Sequence, residues 1–300
     1  MPKILTVGEI IWDMYPDKKV IGGAGLNFAA HSAKCGAKSH ILSAVGRDEL
    51  GDEAISAAAS FGVGCDFIAR YNFPTGQCIV TLNERGIPAY NVLSGVAYDN
   101  ITLADTDIEK ITQIDFDAIC FGTLIQRSRV TRETLRDLLK ACSFKDIICD
   151  VNLRKDCYDS SSALFCLENA TILKISDEEE PALRQFGYYT PEGDFPVSIA
   201  AAIADRFTNI KYIIITLGEN GAFVYCTNEK RHFTMPAAPA KVASTVGAGD
   251  SFIAAWATSI LSGSTPEVAT EKAIALSGFV VSKAAAIPDY KVENGILYEL

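Results

Sequence analysis

Ser244-Thr245-Val246-Gly247-Ala248-Gly249-Asp250-Ser251-Phe252 leads into the apolar stretch Ile253–Leu261. Small residues opening a helix leave its first N–H groups bare and let an anion approach the backbone. A carboxylate in that first turn, Asp250, stands beside any bound phosphate and can accept a proton from an attacking hydroxyl. Positioning, charge stabilisation and one base are what phosphoryl transfer asks of a protein. In isolation the same residues also read as a glycine-rich loop with Asp250 as a helix-capping carboxylate.

Hydride transfer is the obvious rival, because Gly247-Ala248-Gly249 and Gly23-Ala24-Gly25 each begin a GxGxxG pattern. Their sixth positions are Phe252 and Phe28, where close helix–strand packing needs Gly or Ala, so neither fits a dinucleotide site. The chain also has no GxxxxGK[ST], which excludes a P-loop.

Three further segments carry chemistry. Thr216-Leu217-Gly218-Glu219-Asn220-Gly221 follows the strand-like run Tyr212–Ile215, and a glycine turn at a strand's C-terminal end is where open α/β sheets hold ligands. It reads equally as a plain turn into a strand over Ala222–Cys226. Asp150-Val151-Asn152-Leu153-Arg154 and Lys174-Ile175-Ser176-Asp177-Glu178-Glu179 bring acids and a cation to one sheet edge, as Mg·ATP chemistry requires. The acids after Ser176 also suit the first turn of a helix. Gly8-Glu9-Ile10-Ile11-Trp12-Asp13 pairs with Gly22-Gly23-Ala24-Gly25-Leu26-Asn27. Here Asp13 is expected to close the first strand and Asn27 to start the first helix, offering short polar groups to vicinal hydroxyls. Asn27 could equally cap that helix, and Trp12 could shape a pocket or simply pack.

These segments need a frame. Nearly continuous apolar runs at Ile4–Val7, His40–Val45, Ala118–Phe121, Ile147–Val151, Ile172–Ile175 and Tyr212–Thr216 predict strands buried on both faces of a parallel sheet. Helical spacing predicts helices near 26–35, 49–61, 131–142, 178–186, 197–207, 249–262 and 266–284, with Thr131 as a capped start. The alternation points to an α/β fold: a doubly wound, mostly parallel central sheet between helical layers. Residues 10–23 and 71–98 show strand-like alternation without a helix, and Gln77–Leu82 reads through Asn83-Glu84-Arg85-Gly86 into Ile87–Leu93 as a hairpin. These pieces are expected to form a small separate sheet. With no repeat or linker, residues 1–300 read as one domain.

Composition narrows the classes. Of 300 residues, 49% are hydrophobic and 21% charged, as in globular proteins. A formal net charge of −10 argues against nucleic acid as a partner. Nine cysteines without a CxxC pair suit free thiols in a reducing compartment, and three dispersed histidines do not suggest a metal cluster. No apolar run reaches membrane-spanning length and the N-terminus lacks signal-peptide character, so a cytoplasmic protein without membrane contact is expected.

Taken in order, the segments resemble the ribokinase-like sugar kinases of the PfkB family over nearly the whole chain, the fructokinases most closely. Gly22-Gly23…Asn27 is similar to the family's N-terminal motif, Val45-Gly46-Arg47-Asp48-Glu49-Leu50-Gly51-Asp52 to its VGxDxxG stretch, and Val246–Phe252 to its C-terminal motif. The resemblance implies a three-layer α/β/α sandwich with a β lid built from about 10–23 and 71–98. It implies ATP and Mg²⁺ as cofactors, a sugar as acceptor, and Asp250 as base. Gly247, Ala248 and Gly249 would supply the anion hole, and Asp13, Gly23 and Asn27 would hold sugar hydroxyls. Asn152, Arg154, Ser176, Thr216, Gly218 and Gly221 would border the nucleotide, and Glu179 would act on magnesium through water. Ser176 stands where the NxxE motif has Asn. Ser244 stands where the family usually has Asp, and Ala285 where it has Gly, which leaves activation by a monovalent cation such as K⁺ open. Fructose is the expected acceptor; a pentose, a nucleoside or a non-enzymatic sugar-binding role are the alternatives. Exposed lid strands suggest a homodimer through the lid.

Overall fold

The computed structural model describes residues 1–82, 88–190, 193–293 and 296–300. First in the chain come β1 (Lys3–Val7), β2 (Ile11–Met14), β3 (Lys19–Gly22), α1 (Ala24–Lys34), β4 (Lys38–Gly46) and α2 (Glu49–Ser60). Next are β5 (Gly64–Tyr71), β6 (Gly76–Leu82), β7 (Pro88–Val92), α3 (Asp105–Ile114), β8 (Ala118–Gly122) and α4 (Arg129–Ala141). Then follow β9 (Asp146–Asp150), α5 (Ser160–Asn169), β10 (Ile172–Ser176), α6 (Glu180–Gln185), α7 (Val197–Arg206) and β11 (Tyr212–Thr216). The last are β12 (Ala222–Cys226), β13 (Arg231–Met235), α8 (Ala248–Leu261), α9 (Pro266–Val281), β14 (Tyr290–Glu293) and β15 (Ile296–Glu299).

The continuous apolar runs become strands because successive residues must serve two cores. Ile213 and Ile215 point into one cluster with Phe121, Cys149 and Leu173, while Ile214 points into the other with Cys120, Ile148 and Ile172. Helices α3, α4, α5 and α7 contribute to the first core, and α1, α8 and α9 to the second. The result is the expected three-layer α/β/α sandwich.

Among the described residues the main sheet runs β13-β12-β11-β10-β9-β8-β1-β4-β5. Pairing from β11 through β5 is parallel, and β12 and β13 close one side antiparallel. Strand order reverses beside β1, which lies between β8 and β4. A crevice at the C-terminal ends of strands flanking such a reversal is where open α/β sheets bind ligands.

A second sheet, ordered β3-β2-β6-β7, stands apart, as the alternation in 10–23 and 71–98 predicts. Its boundaries are tighter than expected. Tyr71 ends β5 of the main sheet, and beyond β7 the chain makes a 3₁₀ turn at Ala97–Asn100. The predicted hairpin turn through Asn83–Gly86 lies outside the described residues. Trp12 packs against α2: it is buried, and its Nε1 donates to Leu50 O at 3.0 Å. Asp48 caps α2 through Gly51 N at 2.8 Å and also takes Thr75 N at 2.9 Å, so the Val45–Asp52 stretch anchors the start of β6.

Two local expectations need correction. Asp13 does not close the first strand: β1 stops at Val7, and Asp13 belongs to β2 of the second sheet. Thr131 does not cap α4, which starts at Arg129; its buried hydroxyl donates to Tyr98 O at 2.9 Å and accepts from Ile101 N at 3.0 Å.

The C-terminal segment is tied to α1 by His31. Its Nδ1 lies 2.6 Å from Tyr290 Oη and its Nε2 2.9 Å from Ala286 O. A carbonyl accepts only, so Nε2 carries the proton and Nδ1 accepts from the tyrosine. Burial, aided by Lys34, pushes the imidazole down from 6.5 to about 4. The unfolded chain binds this proton more readily, so the contribution is complete above pH 6.5 and is lost as pH falls toward 4. We expect wild type to lose about 2 kcal/mol between pH 7 and pH 5 that H31Q does not lose. Urea unfolding at both pH values measures the difference; parallel curves would remove this role.

Candidate active site

The start of α8 is shaped by two glycines. Gly247 has φ 81° in the left-handed region, and a Cβ there would lie 2.9 Å from both Cβ and O of Ala286. At Gly249 a Cβ would lie 3.1 Å from Lys174 Nζ. The backbone can therefore come down onto a buried ammonium. Of the expected anion-hole amides, Ala248 N has a long contact to Thr245 O at 3.3 Å.

Asp250, in the first turn of α8, is 6% exposed and 2.7 Å from Asn27 Nδ2, which donates to its Oδ2. Burial raises its pKa, against the lowering effect of the Asn27 hydrogen bond and the charges of Arg154 and Lys174. Asn27 is thus an interior residue of α1, not its cap; Gly23 holds that position with φ 101°. Asn27 Oδ1 has no partner among the described residues. A Cβ on Gly22 would lie 3.6 Å from this oxygen and 3.9 Å from Asp13 Oδ2, so the missing side chain leaves open the space that both face. Burial also raises the Asp13 carboxyl, and Arg154 opposes it.

Between the ends of β1 and β8, at the strand-order reversal, a cavity of about 30 Å³ is lined by Thr6, Glu9, Thr123, Asp150, Asn152 and Asp250, among others. Glu9 is 3% exposed, and burial is the main cause of its raised pKa, with Asp250 adding repulsion. Glu9 was not singled out as a site residue by sequence; a carboxylate between a strand end and a glycine loop is the cue that was there.

Lys174, quoted in sequence only as part of its segment, was given no role of its own. It is 5% exposed and its Nζ meets Asp150 Oδ1 at 2.8 Å and Oδ2 at 3.1 Å. The cue was a lysine inside the apolar run Ile172–Ile175. An ion pair ordinarily lowers its acid, yet burial, with repulsion from Glu179 and Asp250, carries Asp150 up to about 6 despite Lys174. Lys174 stays protonated, because Asp150, Glu179 and Asp250 outweigh its burial.

Glu179 accepts Leu153 N at Oε1 and Ser176 N at Oε2, each at 2.7 Å, and so pins the Asn152 loop to the end of β10. Asn152 itself has φ 42°. Thr216, Gly218 and Gly221 lie at the end of β11, on the same sheet edge but outside the cavity. Thr216 O accepts Asp177 N at 3.0 Å, and a Cβ on Gly221 would come within 2.0 Å of Met235 O. Asn27 therefore meets Asp250 at the head of α8, with Asn152 on the same cavity and the Arg154 charge acting on both Asp250 and Asp13, while Thr216, Gly218 and Gly221 extend along the edge.

Among the described residues no group of three or more His, Cys, Asp or Glu could by itself cage a metal. A hard divalent ion that keeps waters and is carried by substrate phosphates fits this donor set, with Glu179 and Asp150 nearby. No helix of the described residues is long and apolar enough to cross a membrane.

Comparison with known proteins agrees with this arrangement. Residues 7–292 match the family model of the pfkB family carbohydrate kinases. The chain is 26% identical over 316 residues to the ATP-dependent 6-phosphofructokinase of Thermoanaerobacterium thermosaccharolyticum, covering 95% of this chain and 90% of that protein. It is 26% identical over 320 residues to the ribokinase of Arabidopsis thaliana, covering 99% and 80%. In fold it is similar to the fructokinase of Xylella fastidiosa solved with bound ATP, with a TM-score of 0.82 at 18% identity over 95% of this chain and 94% of that one. A buried acid at the head of a glycine-opened helix, in a ribokinase-like sandwich matched almost end to end, makes this chain a member of the pfkB family of carbohydrate kinases.

Proposed function

We propose that the chain transfers the γ-phosphoryl group of ATP to a primary hydroxyl of fructose or a related ketose. The reading rests chiefly on Asp250, buried at the head of α8 and oriented by Asn27 at 2.7 Å. Asp250 accepts the hydroxyl proton as the oxygen attacks phosphorus. A base with a raised pKa binds that proton more readily than an ordinary aspartate. The N–H groups of Gly247, Ala248 and Gly249, backed by Lys174, take up the charge spread over the phosphoryl oxygens.

Asp13, Gly23 and Asn27 hold sugar hydroxyls, with Asn27 Oδ1 free to accept one. Asn152, Arg154, Ser176, Thr216, Gly218 and Gly221 line the nucleotide. Mg²⁺, bound by the phosphates and reached by Glu179 through water, supplies further charge neutralisation. The chain works as one kinase domain, and the β3-β2-β6-β7 sheet is its lid. The open edge of β7 in that sheet is the seat of a homodimer.

A panel of fructose, fructose 6-phosphate, ribose and nucleosides, assayed by coupled ADP release with K⁺ or Na⁺ as the salt, tests the reading. Fructose should give the highest kcat/KM, and light scattering of the same preparation should report a dimer. Preference for ribose or a nucleoside would overturn the acceptor, and a monomer would overturn the dimer.

A further inference from the structure

Arg127 follows the 3₁₀ turn Leu124–Gln126 beyond β8, and its side chain is only 11% exposed. Its nitrogens reach three residues on two stretches of chain, the segment 93–99 and the loop at Cys157. Nε donates to Asp99 Oδ1 at 2.8 Å, and Nη2 to Asp99 Oδ2 at 3.0 Å and to Leu93 O at 2.6 Å. Nη1 lies 3.8 Å from Cys157 Sγ.

Each partner has a place in the fold. Leu93 directly follows β7, the last strand of the second sheet. Asp99 also takes Gly95 N at 2.9 Å, so it fixes the return from that sheet to the core. Tyr98, whose ring centroid is 4.9 Å from Arg127 Cζ, packs where a Cβ on Gly76, the first residue of β6, would go. Cys157 lies in the loop that carries Asn152 and Arg154. The far end of that loop is held by a second arginine, Arg132, through Asp159 Oδ2 and Ser161 Oγ, both at 2.8 Å. Arg132 Nε also donates to Gln126 O, next to Arg127, at 2.6 Å.

A buried, bidentate Arg–carboxylate pair is a poor way to gain stability, because desolvation offsets much of its attraction. Its geometry instead sets how parts are placed. We infer that Arg127 is a positioning residue that joins the second sheet to the Asn152–Cys157 loop, so that ordering the loop around a nucleotide also orders the return segment 93–99. This rests on the proposed placement of ATP at that loop. It makes binding under the sheet and binding at the loop mutually reinforcing, with a coupling of about tenfold.

Amide hydrogen exchange of the full chain, with and without Mg²⁺ and a non-hydrolysable ATP analogue, tests it without any assumption about the acceptor. In wild type the analogue should slow exchange in both 152–157 and 93–99. In R127K and in C157A, which removes the loop contact and leaves the Arg127–Asp99 pair in place, it should slow 152–157 alone. Both variants should raise KM for the acceptor about tenfold while kcat stays within about twofold. Protection of 93–99 that survives in both variants, or that wild type lacks while 152–157 is protected, overturns the inference. No protection anywhere in wild type removes the ATP reading itself, and the coupling with it.

Discussion

D250N is expected to lower kcat by about a thousandfold, the scale of a lost general base, while binding of the acceptor sugar changes little. The amide introduced by this substitution can present its carbonyl oxygen to Asn27 Nδ2, so the 2.7 Å contact and the start of α8 persist. What disappears is the proton acceptor. The same substitution should stabilise the protein at pH 8. Burial raises the Asp250 pKa, so folding favours the protonated acid, and stability is lost as pH rises through the folded-state value. A neutral amide escapes that loss. Coupled ADP release, calorimetric sugar binding and thermal melts at pH 8 measure all three quantities. Turnover within tenfold of wild type would remove Asp250 from its role.

That loss of activity with a gain of stability is the expected mark of a carboxylate kept charged for chemistry. Glu9 and Asp13 share the trend, both raised mainly by burial near the same opening. The crevice thus gathers acids whose carboxyls burial pushes upward, opposed by Arg154 at Asp13, by Arg154 and Lys174 at Asp250, and by backbone N–H groups at Glu9. Such a lining offers hydrogen bonds to a neutral ligand, and its cations, with the open N–H groups at the head of α8, favour an anionic one.

Six central strands of the main sheet were legible in sequence because a strand buried on both faces leaves a continuous apolar run, as Tyr212–Thr216 does, whereas β5 and β13, at the sheet's two edges and only partly buried, leave none. The glycine-opened start of α8, with Asp250 in its first turn, was legible because glycines crowd where the backbone must take a left-handed turn or approach a neighbour closely, as Gly247 and Gly249 do. Other parts were hidden for physical reasons. Helix α5 opens on three serines, which are weak helix formers, and its cap, Asp159, acts through Ser162 N in a way that pattern alone does not separate from a turn. Asp13 was placed on the wrong strand because nothing between Gly8 and Asp13 has turn composition, although the chain leaves the main sheet there. Arg127 and Asp99 are 28 residues apart in the chain, and only the folded return from β7 brings them together. Sequence spacing reports local periodicity, so long-range ion pairs escape it.

Lys174 shows what that blindness costs, and K174M should expose it. Removing one partner of a buried ion pair leaves the other uncompensated, typically about 3 kcal/mol or more. Asp150, 7% exposed, would then face Glu179 and Asp250 with no cation bonded to it. It has an escape, because burial already carries it up to about 6, and loss of the ammonium lifts it further. Protonation therefore limits the damage at low pH. A raised folded-state pKa means stability that falls as pH rises, so K174M should be markedly less stable than wild type at pH 8 and closer to it at pH 5.5. D150N combined with K174M should recover part of the loss at pH 8, since a neutral amide needs no counter-charge. Activity should not follow. Lys174 Nζ lies 3.1 Å from where a Cβ on Gly249 would stand, against the head of α8, so on the proposed reading its charge acts on the phosphoryl group as well as on Asp150. We expect kcat to fall about a hundredfold in both the single and the double variant, at every pH where they are folded. Urea unfolding across pH, read beside coupled turnover, separates the roles: a flat stability difference would refute the Asp150 argument, and recovered turnover in the double variant would refute the phosphoryl one.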